Sequence, residues 1–482
     1  MTNLRPTSLD SVLRFVTITV PAASAIGYYV YKLLVLMPPR VADTCLLTDA
    51  KRDSTMGSKR LYRVLVSKIA LLELIAAFSI LQFNANADWP GLLGPTRNGQ
   101  ADSASTIPTA IGGAPKQIWK VDAGQGYAGP AVAGNDCILY ERDGDNDRVR
   151  LVNIDTGKEI WRRELRAGYS GGIDSDKGPR SVPTVLNDSI LVYSAAGDLS
   201  LLERKDGSLR WTRPLRKEYQ AEDGYFGAGN TPLVVGDSAI VNIGARTASV
   251  VCVSLSDGKT IWTSSDVEAS YASPILIRPS RGSAITGPIV VVPTKLKTLG
   301  LDLGTGKQLW EFPFGQRGPT VNAATPIMTT NGNIFQTSSY GNGSVLVSPT
   351  QSSAKIIRKG TDISSQYSTP VVVAGKIFGS DGREDGGEGA YKCLQASDGK
   401  LLWEQSKMPI CHTIGVGDKL LILGIGGEIW TIASSATKFE SIWKSNIPKG
   451  KYRALPAYSG NRLYTRSSNG SGDSWYCFQI GD

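Results

Sequence analysis

One recurring phrase limits what this chain can fold into. It reads DTGKEIW at 155–161, DGSLRW at 206–211, DGKTIW at 257–262, GTGKQLW at 304–310 and DGKLLW at 398–403. Shorter copies, QIW at 117–119 and SIW at 441–443, keep the Trp without the glycine. Successive Trp residues stand 40–51 apart, except across one gap of 93, where IIR at 356–358 puts Arg358 in the Trp place. A repeat of this length is one supersecondary unit that cannot bury its apolar face alone and must stack on copies of itself.

A Pro leading into a β-branched run opens each unit: GPAVAG at 129–134, VPTVLN at 182–187, TPLVVG at 231–236, SPILI at 273–277, TPIMTT at 325–330, TPVVVAG at 369–375 and LPAYSG at 455–460. CHTIGVG at 411–417 holds the same place without Pro. Pro does least harm at the start of a strand, where its missing N–H breaks no ladder bond. Two further strand-like runs follow, such as SILVYSA and SLLER, and the Gly-Lys turn then leads into the strand that carries the Trp. No helical periodicity appears after residue 88. The expected fold is all-β: an eight-bladed β-propeller of four-stranded antiparallel blades over residues 115–482. SWYCFQI at 474–480 ends the chain after only three strands of the last unit. The strand around Trp119 is therefore expected to complete the eighth blade and close the ring.

The N-terminus reads differently. Lys59, Arg60, Arg63 and Lys68 precede an apolar run, Ile69–Leu81, and small residues follow at Ala85-Asn86-Ala87. This is the layout of a secretory signal peptide over 56–87, with cleavage expected between Ala87 and Asp88. Residues 1–55 read as an extension upstream of a start at Met56, the alternative being that the apolar stretch Phe15–Met37 anchors the chain. Membrane contact is expected only through such an uncleaved N-terminus. Residues 88–114 then form an N-terminal strap, opening on DWPGLLGPTRNG.

Charge and reactive residues narrow the function classes. The whole chain carries +9, but residues 88–482 hold 42 basic and 38 acidic side chains. That balance suits solubility and gives no nucleic-acid footprint. His412 is the only His, which makes a His-based zinc site or a Ser-His-Asp triad hard to build. The Cys residues are widely spaced without a CxxC pair, so no disulfide framework can be read. The acidic loop Asp143–Asp147 lacks the central Gly and closing Glu of an EF-hand and reads as a solvated turn.

The repeated phrase resembles the PQQ-like β-propeller repeat, in which the Trp docks between neighbouring blades against a glycine of the turn. The resemblance implies docking roles for Trp161, Trp211, Trp262, Trp310 and Trp403, with Trp119 and Trp443 as degenerate copies. The strap likewise resembles the W-P-x-x-x-G-P-x-x-N/D-G segment that opens many secreted members, matched by Trp89, Pro90, Gly94, Pro95, Asn98 and Gly99. The family holds two functional classes. One is the quinoprotein dehydrogenases, which use PQQ with bound calcium and carry a vicinal disulfide over the cofactor; no adjacent Cys pair exists here. The other is non-enzymatic and includes the propeller lipoprotein of the outer-membrane barrel assembly machinery. That protein needs a lipidated Cys after its signal peptide, and residues 82–100 have none. The resulting expectation is an exported scaffold of the periplasm or cell envelope that uses no cofactor and binds a protein, peptide or carbohydrate. The alternative is a PQQ-dependent alcohol or sugar dehydrogenase.

In a propeller, inter-blade loops converge on one face. Tyr127, Tyr271 and Tyr367 lie three residues before an opening Pro, Tyr452 four, with Arg180, Asn322 and His412 in or near the corresponding place. These residues are the candidate ligand contacts at the channel mouth, together with Tyr225 and Asp174 from the long loops 214–230 and 166–180. Asp381–Ala390 is a third long, Gly-rich loop. Long loops on a rigid scaffold are where binding tends to reside.

Overall fold

The structure, a computed structural model, describes residues 88–108, 112–222, 224–468 and 472–481. The readings of 1–55, of the signal peptide at 56–87 and of Ala87 as its last residue lie outside them. The described chain forms eight four-stranded antiparallel sheets. In the first blade, the innermost strand Ala131–Ala133 follows Pro130, then come Asp136–Asp143, Asn146–Asn153 and the outer Glu159–Arg166. Burial falls outward: the innermost strand is fully buried, whereas the outer one alternates between half-buried and exposed. The eighth sheet consists of Ala457–Ser459, Arg462–Ser467, Asp473–Gln479 and, as its outer strand, Lys116–Ala123. Trp119 there lies opposite Cys477, so the two ends of the propeller sequence close the ring by pairing. One helical turn, Leu215–Glu218, sits in the loop after blade 2 and is too short to show a period in sequence.

The repeated phrase does two things at each blade junction. Its glycine lies in the left-handed region, as at Gly207 with φ 70°, and its N–H closes the turn on the Glu203 carbonyl at 2.9 Å. That same position faces the preceding blade, and a Cβ on Gly207 would come within 2.6 Å of the Trp161 ring. The bare backbone is thus a seat for an indole, which also donates Nε1–H to a carbonyl of the receiving turn. Trp119 reaches Ile154 at 2.9 Å, Trp161 reaches Arg204 at 3.0 Å, Trp211 reaches Leu255 at 2.8 Å and Trp262 reaches Leu303 at 3.0 Å. Trp310 donates to Thr350 and Trp403 to Ser435, both at 3.1 Å, on turns that lack the glycine. Trp443 donates to Gly113 at 3.2 Å. Arg358 occupies the place of the missing Trp, its Cδ 3.1 Å from a Cβ built on Gly399. Each of these docking indoles thus keeps a hydrogen-bond partner for its Nε1–H as its ring is covered.

The loop 143–147 departs from its expected solvation. Asp143 and Asp145 are exposed, but Asp147 is only 2 % exposed. It lies 3.6 Å from the Arg142 guanidinium. Burial raises its carboxyl to about pH 7 against the pull of Arg142. The alternation of a strand explains this, since Asp147 is the second residue of Asn146–Asn153 and faces inward.

Residues 88–108 cross the channel instead of merely lining it. Trp89 exchanges two backbone hydrogen bonds of 2.8 Å with Val132 in blade 1, and the Pro90 carbonyl accepts from Val185 in blade 2 at 2.7 Å. The Arg97 guanidinium then reaches the carbonyls of Thr231, Pro232 and Pro274, at the entries of blades 3 and 4. Gln100 Nε2 donates to Val372 of blade 6, the Gly99 carbonyl accepts from Gly415 of blade 7, and Thr106 donates to Gly460 of blade 8. Gly99 is required at its point of crossing, because a Cβ there would stand 2.5 Å from Val371 Cγ1.

Candidate functional site

A cavity of about 700 Å³ opens on the face where the inter-blade loops converge. Leu92 of the strap is part of its lining, so the strap closes the funnel from below. Its collar follows a simple register. Residues three before an opening Pro line it in every blade that has that Pro: Tyr127, Arg180, Gly229, Tyr271, Ala323, Tyr367 and Arg453. Several residues one before the Pro line it too, among them Thr231, Ser273 and Thr325. These segments are extended, so alternate side chains face the funnel.

The register corrects four of the expected contacts. Tyr452, four before its Pro, is fully buried in the core, where its hydroxyl donates to the Pro448 carbonyl at 2.6 Å. Arg453, overlooked in the sequence, takes the place assigned to Tyr452. Asn322, also four before its Pro, turns away from the funnel into a neighbouring cavity. His412 stands at a blade entry without Pro and lies beneath the collar, 2 % exposed, its ring 5.8 Å from that of Tyr367. Tyr225 is on the rim of the neighbouring cavity, with the Lys295 ammonium 5.6 Å over its ring. Tyr127, Arg180, Tyr271, Tyr367 and Asp174 do share the funnel.

The residue just before the opening Pro also links blade to blade. Val182 N–H donates to the Thr231 hydroxyl at 3.0 Å, Thr231 N–H to Ser273 at 2.8 Å, Ser273 N–H to Thr325 at 3.4 Å and Thr325 N–H to Thr369 at 3.0 Å. The recurrence of Ser or Thr before Pro in SPILI, TPIMTT and TPVVVAG was a readable signal for this relay.

Arg453 organises the charge of the funnel. It forms a two-pronged pair with Glu384, both contacts 2.8 Å, comes within 3.7 Å of Asp174, and lies 4.6 Å over the Tyr127 ring. The Tyr127 hydroxyl donates to Asp174 at 2.9 Å and the Tyr367 hydroxyl to Glu384 at 3.2 Å. Lys451 adds a third cationic contact to Glu384 at 2.7 Å. Burial pushes the Glu384 carboxyl up, but the hydrogen bonds from Arg453 and Lys451 outweigh it and hold the group down at about 2. Burial raises the Tyr127 and Tyr367 hydroxyls well above the usual phenol range, so both stay protonated donors. Arg180 pairs with Asp176 at 3.4 Å and Asp385 with Arg383 at 3.0 Å. Every charged side chain lining the funnel therefore has an opposite charge beside it.

His412 supports this collar from below, its Nε2 3.0 Å from the Arg453 carbonyl, so that nitrogen carries the hydrogen. Burial lowers its pKa to about 4, against the smaller upward pull of the Arg453 and Tyr452 carbonyls. The unfolded chain takes up a proton near pH 6.5 while the folded one resists it until about 4. Stability is accordingly lost as pH falls across that window, by ~3 kcal/mol from this group. Asp147, with its raised carboxyl, has the opposite slope below pH 7. The difference between wild type and His412→Gln isolates the His412 contribution. Urea unfolding at a series of pH values is expected to show the wild type losing stability relative to the variant between pH 6.5 and 4.

The residues present do not fit a calcium–quinone centre. Among the described residues no group of three or more His, Cys, Asp or Glu side chains could hold a metal ion. The three funnel carboxylates, Asp174, Glu384 and Asp385, each lie against Arg or Lys, and among the described residues no Trp lines the cavity. All five described Cys residues are buried free thiols.

Comparisons with known proteins bear on fold and family. The outer membrane protein assembly factor BamB of Burkholderia pseudomallei is 20% identical over 354 residues, covering 72% of this chain and 74% of that protein. The crystal structure of BamB from Moraxella catarrhalis superposes with a TM-score of 0.53 at 17% identity, covering 76% of this chain and 98% of that one. A europium-containing methanol dehydrogenase has the same fold, with a TM-score of 0.61 at 10% identity over 82% of this chain and 98% of its own. The family described as outer membrane protein assembly factor BamB matches residues 145–405, more than half of the sequence. In keeping with its repeat and its closed ring of eight sheets, this chain belongs to that family of PQQ-like β-propellers.

Proposed function

We propose that this propeller is a non-enzymatic docking scaffold of the cell envelope that holds a segment of a partner protein in its funnel. The collar carries the reading. It presents the half-buried rings of Tyr127, Tyr271 and Tyr367 between charges already matched by Glu384, Asp174 and Arg453. Such a surface offers shape, aromatic area and directional hydrogen bonds, the means by which protein interfaces gain specificity. It leaves no unpaired acid or base to act on a small substrate. The assembly-factor relatives support a partner among proteins of the outer membrane, and the leader layout of 56–87 supports export to reach it.

The test is genetic and quantitative. Deleting the gene in its source organism is expected to lower outer-membrane β-barrel protein several-fold, with rescue by the wild type but not by Arg453→Met. Leaving Glu384 without its main partner costs about 3 kcal/mol, so variant abundance is measured alongside. Tyr127→Ala, which breaks no buried ion pair, provides a second funnel variant. Unchanged barrel-protein levels after deletion would sink the proposal. So would full rescue by both variants, or dye reduction with alcohols or sugars once the protein is loaded with PQQ and calcium.

A further inference from the structure

A second cavity, of about 460 Å³, lies beside the funnel behind the segment 318–323. That segment is a shared wall. Pro319, Val321 and Ala323 line the funnel, whereas Gly318, Thr320 and Asn322 line the side cavity. Asn322 is 4 % exposed, and neither its Oδ1 nor its Nδ2 has a partner in the protein. Asn230, 1 % exposed, lines the same cavity with its Oδ1 unpartnered, while its Nδ2 donates to the Asn242 carbonyl at 2.7 Å. Buried polar atoms are nearly always paired, so three unpartnered amide atoms on residues lining one cavity point to a hydrogen-bonding guest.

We propose that the side cavity binds the backbone of an extended peptide. The planar amide of Asn322 is the complement of a peptide group, its Oδ1 accepting the N–H and its Nδ2 donating to the C=O. Asn230 Oδ1 accepts a further N–H. The rim charges are paired, Lys295 with Glu268 and Arg246 with Glu222 at 3.3 Å, so the guest needs no charge of its own at the rim. A sugar ring is disfavoured, since it would stack its C–H face on a bare aromatic. Here the Tyr225 face is covered by Lys295, and Tyr271 packs edge-on with Phe226 at 5.6 Å. Gly229 and Gly244 in the wall are held to glycine by the fold itself, since added Cβ atoms would stand 2.9 Å from Tyr271 and 2.5 Å from Ala269. This site stands whether or not the funnel serves an envelope partner.

Saturation-transfer NMR tests the proposal with two probes, a doubly capped triglycine and N-acetylglucosamine, each at ~10 mM for millimolar affinities. Transfer is expected to the peptide probe in the wild type. It should weaken about tenfold in Asn322→Leu, which removes both hydrogen bonds. Thr320→Trp, filling the cavity from its half-exposed wall, should abolish it, and Ile160→Ala, exposed on the outer strand of blade 1, should leave it unchanged. Loss of an unpaired buried amide should keep the melting temperature of Asn322→Leu at or above that of the wild type; if that variant unfolds, Thr320→Trp decides. No transfer to the peptide would mean that water alone fills the cavity and would overturn the proposal. Transfer to the sugar alone, undiminished peptide binding in both cavity variants, or loss of binding in Ile160→Ala would overturn it equally.

Discussion

Trp119→Ala is expected to destabilise the ring by about 3–5 kcal/mol, the cost of truncating a buried Trp. Trp119 is 6 % exposed at the seam where the two ends of the propeller meet. It joins two blades at once. Its indole seats on Gly157 of blade 1, its Nε1 donates to Ile154, and its ring lies 6.0 Å from that of Tyr464 in blade 8. The remaining cavity cannot collapse easily, since Trp475, Tyr464 and Cys477 around it are fixed in the same buried cluster. Urea unfolding followed by circular dichroism should give a lower midpoint with little change in slope. Trp443, only half-buried in its outer strand, makes the control and should cost markedly less on truncation to Ala. Equal losses in the two variants would show that closure at the seam has no special weight.

The ring was legible because each of its parts has a local chemical cause. Gly before Lys marks a turn needing φ > 0, the Trp marks a strand facing a neighbour, and Pro marks a strand entry. Arg358 could be recognised as a substituted Trp because its spacing survived even though its chemistry had changed. The funnel was less legible because its chemistry lies in contacts between blades far apart in sequence. Arg453 and Glu384 are separated by 69 residues, Tyr127 and Asp174 by 47. No local pattern announces either pairing. The errors at Tyr452 and Asn322 came from allowing the count to the Pro to slip by one, which in an extended segment turns a side chain to the opposite face. Asp147 escaped notice for a similar reason, since three alternating acids look alike until the strand pairing buries one of them. The strap motif was visible as a motif, but only the ring shows that it crosses from blade to blade.

The strap should therefore matter more than its length suggests. Trp89, Leu92, Leu93 and Ile107 are 2–6 % exposed, and burying each such side chain contributes about 1.5–3 kcal/mol. Their sum, ~6–12 kcal/mol, is comparable with the entire stability of an ordinary domain. A chain starting at residue 112 is accordingly expected to fail to give a folded monomer, whereas one starting at residue 88 should give it, as size-exclusion chromatography and circular dichroism would show. A folded, monomeric product from residue 112 would reduce the strap to surface decoration. Arg97→Met is the milder form of the same experiment, removing three hydrogen bonds to carbonyls at the entries of blades 3 and 4. It should cost about 2–4 kcal/mol, because the charged donor leaves those carbonyls without a partner. Hydrogen–deuterium exchange should then rise at Leu233–Val235 and Ile275–Ile277, while the innermost strand of blade 7, held by Gly99 and Gln100, keeps its protection. A rise spread evenly over all eight blades would instead mean that the strap releases as one unit, and that Arg97 is its latch.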